Sequence, residues 1–138
     1  MLVSNIEEVK KFIPQRHPIV MVDNLISITN NTATTSYEIN DSVFLNKNKF
    51  MNKYGLIEHV AQSSALFYGY LHGKSFGMIG KIKNLEICDD LILGTIITSE
   101  ITIIKEIGNL VSVYTESYSN NISLMKSEML LNFEKKNG

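Results

Sequence analysis

Residues Tyr54 to Leu71, YGLIEHVAQSSALFYGYL, constrain this chain more than any other stretch. The run is long enough for about five helical turns, and it is apolar or small on nearly every side. A helix of that kind is wrapped by the rest of its domain, because no face of it suits water. Glu58 falls in the first turns, and Gln62 follows one turn later on the same face. A carboxylate that enters a core without a cationic partner loses its hydration, and burial favours its neutral form. That state suits proton transfer near neutral pH. The other reading of Glu58 is a solvated helix start, where a negative charge complements the dipole.

The segments on either side give the wrapping. Asn5 is placed to cap a short N-terminal helix with Glu8 as its capping-box partner; Ser4 with Glu7 is the alternative register. Ile6, Val9, Phe12 and Ile13 form its apolar stripe, and Pro14 stops it. PQRHP, Pro14 to Pro18, is an extended connector. From Ile19 the pattern becomes β-branched, and IVMVDNLISIT and TATTSYEI read as a hairpin turning at Asn30-Asn31. Asp41 to Lys53 is polar and irregular apart from Phe44 and Phe50, and is placed to form a wall of a binding site.

After His72-Gly73-Lys74 the chain returns to strands. FGMIGKIKNLEI carries Gly77 and Gly80, a sign of a bulge or a close backbone approach. TIITSEITII, LVSVYTESYS and ISLMKSEMLLNFE follow, with turns at Gly108-Asn109 and Asn120-Asn121, an antiparallel meander. The expected architecture is α+β: one long central helix wrapped by a curved antiparallel sheet of about six strands. No linker or repeat interrupts it, so residues 1–138 read as a single domain. The edge strands and flat outer face of such a sheet favour assembly into a dimer or larger oligomer.

Charge and cysteine content narrow the function. A net charge of -1, with scattered basic residues, gives no pull toward nucleic acid or anionic lipid. No apolar run is long enough to span a bilayer, and MLVSNIEEVKK lacks the order of a signal peptide, so a cytoplasmic location with no membrane insertion is expected. Cys88 is the single cysteine and reads as a small buried or half-buried residue. His17, His59 and His72 show no paired-ligand spacing, and neither a metal nor a cofactor is expected.

Two segments carry a family resemblance. IPQRHPIVMVD, Ile13 to Asp23, resembles the N-terminal signature of the hotdog-fold 3-hydroxyacyl-acyl-carrier-protein dehydratases, Leu-Pro-His-Arg-x-Pro before an apolar strand ending in Asp. Glu58-His-Val-Ala-Gln62 is similar to their helix motif Glu-x-x-Ala-Gln, whose Glu is catalytic. Within that group the chain resembles most the divergent dehydratase-like proteins of aryl-polyene and flexirubin synthesis. The resemblance implies a hotdog fold, a substrate held as a thioester on an acyl carrier protein, and a homodimer or a hetero-oligomer with another hotdog subunit. Three departures stand beside it. The family's histidine, fourteen residues before the Glu, falls on Phe44, and no His occurs from Val43 to Ile57. The Pro-Gly that opens the family's helix falls on Asn52-Lys53, with Gly55 two residues late. The signature His falls on Gln15, and His17 takes the variable position after Arg16.

Dehydration of a 3-hydroxyacyl thioester needs a base for the C2 proton, an acid for the departing hydroxyl, and fixed dipoles for the enolate-like oxygen. Glu58 is the expected acid, oriented by Gln62, and free N–H groups around Gly55 and Leu56 are the expected dipoles. Among the histidines, His59 points about 100° away from Glu58, and His72 lies at the far helix end, where capping is expected. His17 is left as the candidate base, against a plain surface imidazole. Tyr54 is either a substrate-orienting or a packed residue. Two alternatives accompany the dehydratase reading: a hotdog acyl thioesterase in which Glu58 activates water, and a non-catalytic acyl-binding subunit paired with an active hotdog partner.

Overall fold

The computed structural model of the chain describes residues 1–16, 20–40, 45 and 49–135. His17 and Phe44 lie outside the described residues, as does most of the expected Asp41–Lys53 wall.

The strands are β1 (Val3–Ser4), β2 (Asn24–Thr29), β3 (Thr32–Glu38), β4 (Phe50–Met51), β5 (Ser75–Ile87), β6 (Leu91–Ile92), β7 (Ile96–Ile107), β8 (Leu110–Ser119) and β9 (Ile122–Lys135). The helices are α1 (Ile6–Val9) and α2 (Gly55–His72). Seven strands form one antiparallel sheet in the order β1-β2-β3-β7-β8-β9-β5, and β4 pairs with β6 in a small second sheet. The expected count of about six is exceeded by β1, which adds Val3 beside Leu25 at one edge.

Helix α2 packs against β2, β3, β5, β7 and β8. Contact with strands near both ends of the sheet order requires the sheet to curl round the helix. The core is the space between them, filled by Leu56, Val60, Leu66 and Phe67 of α2 and by inward residues such as Tyr37, Ile97, Ile101, Val113 and Met129. Alternation along β8 explains the division: Val111, Val113, Thr115 and Ser117 are buried, while the residues between them are not.

The turns form where the sequence places them. Asn30 has φ 55°, Gly108 φ 59°, and Asn120 and Asn121 have φ 49° and 65°, conformations that Asn and Gly tolerate. Gly80 lies at a register shift between Ile79 and Lys81. At Gly77, a Cβ would come within 2.5 Å of the Phe133 ring, which stacks on Tyr68 of α2 at 4.3 Å. Both glycine readings therefore apply, one at each position.

Two expectations change. The helix before Pro14 is a single turn. Asn5 caps it by accepting from Glu7 and Glu8 N–H groups, and the Glu8 carboxylate takes the Ser4 hydroxyl at 2.9 Å, while the Glu7 carboxylate pairs with Lys10, so Asn5 and not Ser4 is the cap. Strand β2 begins at Asn24, and Ile19, the expected start, lies outside the described residues. Residues 20–22 lie outside it although they are apolar and buried, and their anchoring belongs to the site.

Candidate functional site

The polar residues of α2 explain how residues 20–22 are held without a strand partner. The Met21 N–H donates to Gln62 Oε1 at 2.6 Å, and the Met21 carbonyl accepts from His59 Nδ1 at 2.6 Å. Helix side chains thus do for Met21 what a neighbouring strand does elsewhere. A buried backbone group left without a partner costs about 1–3 kcal/mol, which these bonds avoid. Ser63 and Ser64, also buried, are satisfied by Thr35 at 2.8 Å and by the Val60 carbonyl at 2.7 Å.

Gln62 has a second role. Its oxygen faces an N–H, so its amide nitrogen faces the other way and donates to Glu58 Oε1 at 2.9 Å. Glu58 itself is exposed, which corrects the expectation of a carboxylate entering the core and agrees with the reading of a solvated helix start. Tyr54, Glu58 and Ala61 are less than fully buried at four- and three-residue spacing, and so are Tyr68 and His72 at the far end, but Ser64 and Ala65 between the two groups are buried. The first group forms an open face on the opening turns of the helix, on the side that the curled sheet does not cover. A buried carboxamide therefore fixes a carboxylate that is open to solvent.

His59 points away from Glu58, as the helical geometry requires, and into the core. Its ring is fully buried, with Nε2 2.8 Å from Ser99 Oγ, which lies 2.7 Å from Ser117 Oγ. Tyr37 stacks on it at 5.6 Å. Burial lowers the His59 pKa from 6.5 to about 4, with the Met21 hydrogen bond opposing the shift, so the ring is neutral at pH 7. Sequence reasoning dismissed His59 as a base and missed this anchoring role. The available signal was an imidazole on the same helical face as Leu56, Val60 and Ser63.

The helix start differs from the expected one with free N–H groups. Gly55 N–H donates to Asn52 O at 2.8 Å and Leu56 N–H to Lys53 O at 3.0 Å, closing tight turns. The Asn52 side chain accepts from Tyr54 N–H at 2.9 Å, and Asp90 accepts from Lys53 N–H at 2.9 Å. The backbone carbonyls of Asn52 and Lys53, the residues standing where the family has Pro-Gly, thus take the Gly55 and Leu56 donors. The small β4–β6 sheet pins this entry, with Phe50 opposite Ile92 and Met51 opposite Leu91. Tyr54 is 56% exposed, against the packed reading, and Lys53 Nζ lies 5.5 Å from its ring centroid.

Asp23, the last residue of the N-terminal signature, accepts the Glu38 N–H at 2.8 Å. Burial raises its pKa, and the Glu38 N–H partly offsets that. At the other end of α2 the His72 ring rests on Tyr68 at 4.6 Å, while the helix end is closed by Gly73 N–H on the Gly69 carbonyl. Cys88 is half-buried, with its thiol on the Asp89 carbonyl.

The model of the ApeP-like family, described as ApeP dehydratase, matches residues 7–79. This chain belongs to the ApeP-like dehydratase family. The match spans the N-terminal signature, α2 with Glu58 and Gln62, and the start of β5. No curated protein matches the chain. Among solved structures, the dehydratase heterocomplex ApeI:P from Xenorhabdus doucetiae aligns with a TM-score of 0.85 at 16% identity, covering 93% of this chain and 91% of that one. A hypothetical thioesterase with coenzyme A from Streptococcus pneumoniae aligns at 0.64 and 9% identity, covering 83% and 88%. The PaaI protein of Escherichia coli aligns at 0.63 and 9% identity, covering 79% and 81%. At these identities the likeness is one of fold, and the fold of this ApeP-like chain is the hotdog.

Proposed function

We propose that this chain is a dehydratase subunit that removes water from a 3-hydroxyacyl thioester, with Glu58 as the acid. The observation that carries this reading is the Gln62–Glu58 hydrogen bond, which holds an exposed carboxylate in one orientation on an open helix face within the family's matched span. In the reaction a base takes the C2 proton, the C3–O bond breaks, Glu58 in its carboxylic-acid form gives its proton to the departing hydroxyl, which leaves as water, and a C2=C3 double bond and the Glu58 carboxylate remain. Tyr54, exposed one turn before Glu58 on the same open face, orients the substrate. The base is His17, since His59 is committed to Met21 and Ser99 and His72 is stacked on Tyr68. The substrate rides on an acyl carrier protein, in a pathway of the aryl-polyene kind.

A second reading has its own support. No histidine stands between Val43 and Ile57, and the solved ApeI:P relative is a heterocomplex. Both favour a hetero-oligomer with another hotdog subunit, in which this chain is at the limit a non-catalytic acyl-binding partner. Incubation with 3-hydroxyacyl and enoyl carrier-protein thioesters, with and without a hotdog chain encoded nearby, separates the readings. Interconversion by this chain supports the dehydratase. Turnover only in the mixture, and indifferent to Glu58→Gln, supports the binding subunit. Release of free acid and thiol points to a thioesterase.

A further inference from the structure

We infer that His59 is a positioning residue for Glu58, acting through Met21 and the Gln62 carboxamide in one fixed tautomer. The inference rests on the reading of Glu58 as the acid. A carbonyl only accepts, so the 2.6 Å contact with Met21 O places the proton on Nδ1. The neutral ring then accepts at Nε2 from the Ser99 hydroxyl at 2.8 Å, and Ser99 in turn accepts from Ser117 at 2.7 Å. The direction of this buried chain follows from its one end on Met21.

His59 and Gln62 lie one turn apart on α2 and hold the same residue from its two sides, the carbonyl by one and the N–H by the other. Residues 20–22 lie outside β2, and the ladder with β3 is first joined by Asp23 N–H on Ser36 O at 2.9 Å. Releasing the Met21 carbonyl therefore frees the Met21 N–H to turn. That N–H holds the Gln62 oxygen on its own side, and with it the NH2 on the side of Glu58. A carboxylate displaced by about 1 Å loses on the order of a hundredfold in rate.

Two substitutions divide the ring's contacts. The amide of His59→Asn occupies the Nδ1 position and keeps the bond to Met21, whereas His59→Gln reaches Ser99 and gives up Met21. The expected result is a kcat within about twofold of wild type for H59N and a fall of about tenfold to a hundredfold for H59Q, with KM little changed. Each variant loses one buried contact, so a purely structural role lowers both melting temperatures and moves both rates alike; equal kcat values for the two overturn the inference. Two measurements on the protein apart from turnover keep it testable if a variant misfolds or the wild type is inactive. In wild type the His59 nitrogen spectrum should show Nδ1 protonated and Nε2 bare, and the reverse pattern overturns the proposal. In H59Q the Gln62 side-chain NH2 resonances should move, and their constancy overturns it too. An inactive wild type with these signatures intact removes the dehydratase reading and leaves the clamp on Met21 standing.

Discussion

The Gln62 carboxamide donates to the Glu58 carboxylate at 2.9 Å while being held from behind by the Met21 N–H. One turn of helix separates the two residues, so the bond itself needs only helical geometry. Its direction needs Met21. The first half of the Glu-His-Val-Ala-Gln motif therefore presents a carboxylate, and the second half aims it.

Gln62→Glu isolates the donor. One carboxylate oxygen still accepts the Met21 N–H, while the other meets Glu58 across the 2.9 Å gap as a like charge. We expect a loss of turnover on the order of tenfold or more at pH 7, with a loss of about 1–3 kcal/mol of stability. Kinetics and thermal melting of the same preparation check both, and unchanged kinetics remove Gln62 from the orienting role.

Stability should fall on acidification because of His59. Its folded pKa of about 4 lies below the ordinary 6.5, so the unfolded chain binds the proton more readily between those values. The contribution is complete above pH 6.5, declines as pH falls toward 4, and amounts to about 3 kcal/mol in all. In His59→Asn this part of the slope should vanish. Urea titrations of both proteins between pH 4 and 7 measure it, and identical slopes contradict the assignment.

Gly69→Ala should destabilise the docking of the N-terminal turn on α2. A Cβ there would lie 2.3 Å from the Phe12 carbonyl oxygen, backbone that cannot swing aside. A cost of about 2 kcal/mol is expected, or roughly 5–10 °C in melting temperature. A neutral result would show that α1 can shift without loss.

Much of the fold was legible because its signals are local. Asn-Asn and Gly-Asn turns set the hairpins, and the apolar run from Tyr54 marks the central helix. What escaped was relational. Val20 to Val22 carry a strand's composition, yet Met21 is bound by helix side chains forty-one and thirty-eight residues away. No period in the sequence reports such a partner. The open face around Glu58 was hidden for a similar reason: its small and aromatic residues look like core, and only the path of the sheet decides which face is covered. The occupied N–H groups of Gly55 and Leu56 depend on Asn52 and Lys53 adopting turn geometry, which a missing Pro-Gly does not foretell.

The most direct measurement is the rate at which 3-hydroxyacyl and enoyl carrier-protein thioesters interconvert when this chain carries Glu58→Gln, assayed alone and together with a hotdog chain encoded nearby. The amide keeps an oxygen for the Gln62 NH2, so melting should be unchanged. The account predicts a fall on the order of a hundredfold to ten-thousandfold, the scale of a lost general acid. Full turnover by the variant, alone or in the complex, would contradict it.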